Sequence, residues 1–86
     1  SAVRGSVKFQ GLSAGATIRI YDLAGERVAD LGPGTNSGGN VNDGTSGLAE
    51  WNGRNSDGAG VARGTYIYVI TDASGGRRSG KIGVVQ

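Results

Sequence analysis

Short alternating runs of apolar and polar side chains predict a chain built of β-strands. In the run 5–12, Val7 and Phe9 alternate with polar neighbours, and the run 16–23 repeats the pattern. A period of two residues is typical of a strand with one buried and one solvent-facing side. No run spaces its apolar residues three and four apart as an amphipathic helix does, so we expect little or no helix.

Four further runs have strand character and are separated by glycine-rich turns. In the short run 27–31, Val28 is the expected inward residue, and the run 65–73 is apolar on both sides, which predicts a central strand. These runs are 27–31, 48–51, 65–73 and 79–85. Six or seven such strands predict an all-β fold, an immunoglobulin-like (fibronectin III-like) antiparallel β-sandwich.

The segment 32–46 is expected to be a flexible loop. It is rich in Gly, Asn and Ser, and Val41 is its one aliphatic side chain, so it lacks the apolar surface that orders a chain. We favour a tolerated insertion over a functional loop. A Ca²⁺ site at Asn40, Asn42 and Asp43 is a weaker hypothesis, because the bidentate glutamate of an EF-hand loop is missing at the expected spacing.

Length and composition limit the chemistry of the chain. Its 86 residues make one small domain, 1–86, and its lack of Met suggests a domain excised from a longer polypeptide. It has no histidine and no cysteine, which removes Ser-His-Asp triads, thiol nucleophiles and the usual zinc ligands. No two carboxylates are flanked like a catalytic pair. We therefore expect no enzyme and no cofactor.

Charge and hydropathy restrict the partners. Nine basic against seven acidic residues give a net charge of +2, and the basic residues are scattered apart from Arg77, Arg78 and Lys81. Because a groove that tracks phosphates needs a denser basic patch, we expect no nucleic acid. No apolar run approaches the roughly 20 residues of a membrane span.

The segment 50–70 concentrates aromatic and turn residues. Trp51 and Tyr66 flank a turn rich in Asn, Asp and Gly, which predicts an arch between two strands. Together with Tyr21 and Tyr68 they offer an aromatic platform for a sugar. A small sandwich needs such bulk for its core, so we favour core packing of Trp51 and Tyr66.

Three ordered motifs resemble a known family. They are the run 18–28 (Ile-Arg-Ile-Tyr-Asp-Leu-Ala-Gly-Glu-Arg-Val), the run 51–58 (Trp-Asn-Gly-Arg-Asn-x-x-Gly) and the run 61–68 (Val-Ala-x-Gly-x-Tyr-x-Tyr). The chain resembles the FlgD-like immunoglobulin-like domain of flagellar hook-capping proteins and the C-terminal sorting domains of type IX secretion cargo. The matching signature residues are Tyr21, Asp22, Gly25, Trp51, Gly53, Gly58, Gly64 and Tyr66.

The resemblance implies a non-catalytic module at the C-terminus of a secreted or cell-surface bacterial protein. Such a module acts in export or sorting, anchoring or assembly, and its partner is the secretion or assembly machinery or the parent polypeptide. The closing strand is the expected contact, through edge-strand addition. The candidate partner-binding residues are Lys81, Ile82, Val84 and Val85. A carbohydrate-binding module of an extracellular enzyme is the alternative.

Overall fold

A computed structural model describes residues 2–3, 7–37, 40–55 and 59–84, and every regular element within these ranges is a β-strand. No segment described there forms a helix long and apolar enough to cross a membrane. The strands are β1 (Ala2–Val3), β2 (Val7–Phe9), β3 (Thr17–Tyr21), β4 (Arg27–Leu31), β5 (Thr35–Ser37), β6 (Asn40–Asn42), β7 (Ala49–Trp51), β8 (Gly64–Thr71) and β9 (Arg77–Val84).

The strands form two sheets, in agreement with the predicted β-sandwich. One sheet has the order β1-β9-β8-β3-β4, and the other has the order β2-β7-β6-β5. All neighbours are antiparallel except β1, which runs parallel to β9. The strand expected to be central, β8, is the middle strand of the five-stranded sheet.

The core lies between the inner faces of the two sheets. Ile18 and Ile20 of β3 are fully buried, as their alternation predicts, and full burial of one such side chain contributes about 1.5–3 kcal/mol. Trp51 supplies the largest buried side chain. The other core residues include Phe9, Leu12, Ala16, Ala29, Leu31, Ala49, Val61, Tyr66, Ile70, Ile82 and Val84.

A register shift in the β3–β4 hairpin corrects the expected role of Val28. Ile20 pairs with Ala29, but Tyr21 pairs with Arg27, so β4 carries one extra residue at this point. A bulge of this kind shifts the phase of the alternation by one residue. Ala29 is therefore buried, and Val28 is only half-buried against the rim of the core.

The expectation of a structureless segment at 32–46 is wrong. Strands β5 and β6 pair as a hairpin within it, in a register that joins Thr35 to Asn42. The β6 strand also pairs with β7, so the hairpin extends the four-stranded sheet.

Buried asparagine side chains, in place of apolar ones, order this hairpin. The Asn42 Nδ2 donates hydrogen bonds to the carbonyls of Ala16 and Leu31, both at 2.8 Å, and Asn42 is only 2% exposed. These bonds tie β6 to β4 and to the start of β3, which belong to the opposite sheet. Because buried polar groups are costly unless paired, this double contact fixes where β6 lies.

We predict that Asn42→Ala destabilises the domain by about 2–4 kcal/mol, because it leaves the carbonyls of Ala16 and Leu31 without their donor. The free energy of unfolding is measured by urea denaturation. Asn36→Ala, at an exposed position of the neighbouring strand, is the control and should change stability by less than about 0.5 kcal/mol. Equal losses in the two variants would contradict the role given to Asn42.

Candidate functional site

Two of the signature residues form an aromatic contact between the sheets. Trp51 on β7 and Tyr66 on β8 pack edge to face, with ring centroids 5.9 Å apart at 65°. Trp51 is completely buried, and its Nε1 donates to the Arg54 carbonyl at 2.8 Å. The Tyr66 hydroxyl donates to the Ala62 carbonyl at 2.6 Å, an arrangement like the tyrosine corner of immunoglobulin-like sandwiches. Both side chains therefore belong to the core between the sheets.

Asp22 and Gly25 build the tight turn of the β3–β4 hairpin. The Asp22 Oδ1 accepts hydrogen bonds from the N–H groups of Ala24 and Glu26, both at 2.9 Å. Gly25 has φ of +86°, a conformation that a side chain disfavours. Tyr21 directly precedes this turn and lies half-buried on the outer face of its sheet.

The same turn recurs between β8 and β9, built by Asp72. Its Oδ1 accepts from the Ser74 N–H at 3.1 Å, the Ser74 hydroxyl at 2.8 Å and the Gly76 N–H at 2.6 Å. The Ser74 hydroxyl bond and the backbone bonds of this turn lower the pKa of Asp72. Both turns have the sequence Asp-x-x-Gly, with Gly75 at φ of +94°. This second turn sets the register of the last strand.

The remaining signature glycines frame the chain between β7 and β8. The Gly53 carbonyl accepts the Val61 N–H at 2.9 Å. Gly64 opens β8 and lies opposite Val84 of β9. Gly58 lies outside the described residues.

Most of the aromatic side chains considered for sugar binding pack in or against the core. Trp51 and Tyr66 are buried, as core packing predicts, and offer no ring face to a sugar. Tyr68 packs edge to face on Phe9, with centroids 5.2 Å apart. Carbohydrate binding stays a prediction, and among the described aromatic residues Tyr21 is the one left on the outer face.

The oxygens considered for Ca²⁺ are engaged by backbone N–H groups. The Asn40 Oδ1 accepts from Asn52 at 2.7 Å, and the Asn42 Oδ1 accepts from Gly44 at 3.1 Å. One carboxylate oxygen of Asp43 accepts two backbone N–H groups at 2.9 Å. In the described ranges, no three His, Cys, Asp or Glu side chains lie together as metal ligands.

Some side chains of the closing strand β9 are buried in the core and others are exposed to solvent. Ile82 and Val84 are 1% and 5% exposed and pack in the core, so their side chains are not available to a partner. Lys81 is exposed. Val85 lies outside the described residues.

One edge of the five-stranded sheet is mostly open. The eight residues of β9 pair with β8 on one side, whereas on the other side the described pairs are those of β1 with Gly83 and Val84. Within the described part of the chain, no strand pairs with the outer side of 77–82.

The hydrogen-bond phase shows which backbone groups this edge presents. The Asp72 N–H donates to the Gly76 carbonyl at 2.9 Å, which makes these residues a hydrogen-bonded pair. Such pairs alternate with non-hydrogen-bonded pairs along an antiparallel ladder, and the register is continuous through 77–84. Gly83 follows this phase and faces Ala2 of β1. The uncovered residues whose N–H and C=O groups point outward are Arg77, Ser79 and Lys81.

The open edge is electrically positive. Arg77, Arg78 and Lys81 are exposed, and among the described residues none of them forms an ion pair. The ion pairs of this sheet lie at its opposite edge, where Asp30 contacts Arg19 at 3.5 Å and Arg27 at 3.6 Å.

Sequence reasoning missed Arg77 and Ser79 at the site. The expected last strand began at 79, whereas β9 begins at Arg77. The sequence contains a clue to this start, because Asp72-x-x-Gly75 repeats the Asp22-x-x-Gly25 pattern of the first turn. The strand after the first turn begins five residues after its Asp, and β9 begins five residues after Asp72.

Comparison with known proteins gives one similar fold. No protein-family model and no curated protein matches the chain. A solved structure of PorZ, an essential bacterial surface component of the type IX secretion system of Porphyromonas gingivalis, is similar with a TM-score of 0.66 and 24% sequence identity. The match covers 92% of this chain and 9% of that chain. The similarity supports the fold.

We predict that Trp51 emits at short wavelength in the folded domain and moves to longer wavelength in urea, because it is fully buried in the native state. Titration with soluble polysaccharides should leave the emission unchanged. A sugar-dependent change in emission would contradict the packing of Trp51 as a core residue.

We also predict that the Asp72 carboxyl titrates below its usual value of about 3.9. Because its pKa is lowered on folding, its contribution to stability is present above the unfolded pKa and is lost as the pH falls through the folded pKa. NMR titration of the carboxyl carbon measures it. Ser74→Ala removes the hydroxyl that lowers this pKa most and should move it back toward the usual value. An unchanged pKa in the variant would contradict this cause.

Proposed function

We propose that this domain is a non-catalytic protein-binding module of a secreted or cell-surface bacterial protein, and that it serves export or attachment by accepting a partner strand on β9. The open outer side of 77–82 is the observation that carries the proposal. Unpaired N–H and C=O groups on an edge strand are a template for another chain, and alternate side chains supply selectivity.

The uses of the described carboxylates support a module without catalysis. Asp22, Asp43 and Asp72 accept the backbone hydrogen bonds of turns. Asp30 contacts two arginines. These four carboxylates therefore have structural partners in turns and ion pairs.

Two similarities support the proposed export role. The motifs around Asp22, Trp51 and Tyr66 resemble those of type IX sorting domains, and the fold resembles part of PorZ, a surface component of that system. A domain that is read by secretion machinery needs a recognisable surface on a stable fold. The β9 edge provides such a surface while the inner side of the same strand holds the core.

Deletion of the last residues is a poor test of this function. Removal of 81–86 also removes Ile82 and Val84 from the core, so any loss of export would include the effect of unfolding. A substitution at the outward-facing Ser79 separates the two effects, because proline is tolerated on an edge strand where the lost N–H faces solvent.

We expect that Ser79→Pro in the domain, fused to the C-terminus of a reporter, abolishes surface delivery by a bacterium with a type IX secretion system. Its ring blocks strand addition, whereas Ser79→Thr keeps the N–H and should deliver the reporter normally. Delivery is measured by protease accessibility of the reporter on intact cells, and thermal unfolding of both variants confirms that they fold.

Two results would oppose the proposal. Normal delivery of the folded Ser79→Pro fusion would exclude the β9 edge as the contact. Equal delivery of the reporter with and without the whole domain would exclude the export role.

A further inference from the structure

We infer that the strand accepted by β9 is an extended acidic peptide segment, with carboxylates four residues apart that face Arg77 and Lys81. This inference rests on the proposed use of the β9 edge. It adds the chemical class and the spacing of the partner.

Charge is the first argument. The strand β9 has three exposed cations within five residues, Arg77, Arg78 and Lys81, and no described carboxylate forms an ion pair with them. Arg77 and Lys81 point to the outer face, whereas Arg78 lies on the inner face and donates to the Gln10 carbonyl at 3.4 Å. The nearest cross-strand neighbours on β8 add no negative charge, because Thr71 lies opposite Arg77 and Ile67 lies opposite Lys81. An incoming strand of opposite charge gains favourable cross-strand pairs, and a basic strand is repelled.

Strand geometry then fixes the spacing. Ile82 and Val84 point into the core, so the alternate residues Arg77, Ser79 and Lys81 point to the outer face. These three are also the residues whose backbone groups are available to an added strand. Because an added strand has the same period of two, carboxylates opposite Arg77 and Lys81 are its first and fifth residues.

The inner side of the edge adds an apolar preference. Gly80 lies opposite Tyr68, and a Cβ atom placed on Gly80 would be 2.6 Å from two ring carbons of that tyrosine. The ring therefore lies across the glycine, and Tyr68 is only half-buried. Because Gly80 has no side chain, a partner residue opposite it would contact the ring of Tyr68. This contact favours an apolar partner residue at that position.

The chain itself shows that this edge accepts a further strand. The β1 strand pairs with Gly83 and Val84 in parallel orientation, directly beyond the open stretch. The backbone at this edge is therefore shaped for pairing.

Fluorescence anisotropy with a labelled nine-residue peptide tests the inference. In the probe, the five central residues are Glu, Val, Thr, Val and Glu, so that a valine lies opposite Gly80 in either strand direction, and threonines flank them. The first control peptide replaces both glutamates with lysine. The second keeps both glutamates but spaces them three apart, which puts one of them on the wrong face of the strand.

Two domain variants with equal net charge separate the effect of the cations on β9 from the effect of the domain's overall charge. Arg77→Gln with Lys81→Gln removes the facing cations. Lys8→Gln with Arg27→Gln removes two exposed cations from other edge strands, β2 of the other sheet and β4 at the opposite edge of the same sheet.

We expect the Arg77→Gln/Lys81→Gln variant to bind the acidic probe about fivefold or more weakly, with less than about twofold change in the Lys8→Gln/Arg27→Gln variant. The lysine peptide should show no binding, and the peptide with altered spacing should bind more weakly than the probe. Ser79→Pro should abolish binding. Raising the salt concentration should weaken binding of the probe to the parent domain.

Three outcomes would overturn the inference. In the first, the lysine peptide binds as well as the acidic one, and in the second, the two double variants lose affinity equally. In the third, inorganic polyphosphate competes equally well with and without the edge substitutions, which indicates a general polyanion surface. If these appear while the Ser79→Pro fusion still fails to be delivered, the acidic partner is wrong and the β9 contact stands. If delivery does not need the domain, the export role is wrong.

Discussion

The edge-to-face contact of Trp51 with Tyr66 is the interaction on which the rest of the sandwich depends. It joins β7 of one sheet to β8 of the other, and Trp51 is completely buried between them. Trp51 is the one Trp of the chain and the largest of its fully buried side chains, so it fills a large part of the space between the sheets. The Trp51 Nε1 and the Tyr66 hydroxyl each donate a hydrogen bond to a backbone carbonyl. These bonds fix the orientation of both rings within the core.

Fixing β8 in this way has consequences for both edges of its sheet. The β8 strand pairs with β3 on one side and with β9 on the other. One Asp-x-x-Gly turn joins β3 to β4, and a second joins β8 to β9. At β4, the carboxylate of Asp30 offsets the nearby arginines. At β9 the basic residues have no such partner among the described residues. The two edges of one sheet therefore differ in charge and in openness.

Much of the fold follows from the period of two in the sequence, and the exceptions have physical causes. The alternation in β3 and the apolar character of β8 identify buried and central strands directly. The β5–β6 hairpin was missed because Asn42 orders it through side-chain bonds to distant carbonyls, which hydrophobic patterning does not register. Val28 was misplaced because a bulge changes the phase within a strand that looks regular in sequence.

The proposed contact lies in the strand named from the sequence, but two of the residues named there, Ile82 and Val84, have their side chains in the core. Apolar residues of a terminal strand look available when the strand is considered alone, yet the ladder with β8 turns Ile82 and Val84 into the core. The same ladder turns the backbone groups of the alternate residues outward. A strand that contributes one face to the core can offer a partner only its edge and its other face. The proposed recognition at β9 therefore involves Arg77, Ser79 and Lys81, which are identified by a strand register that the sequence alone does not reveal.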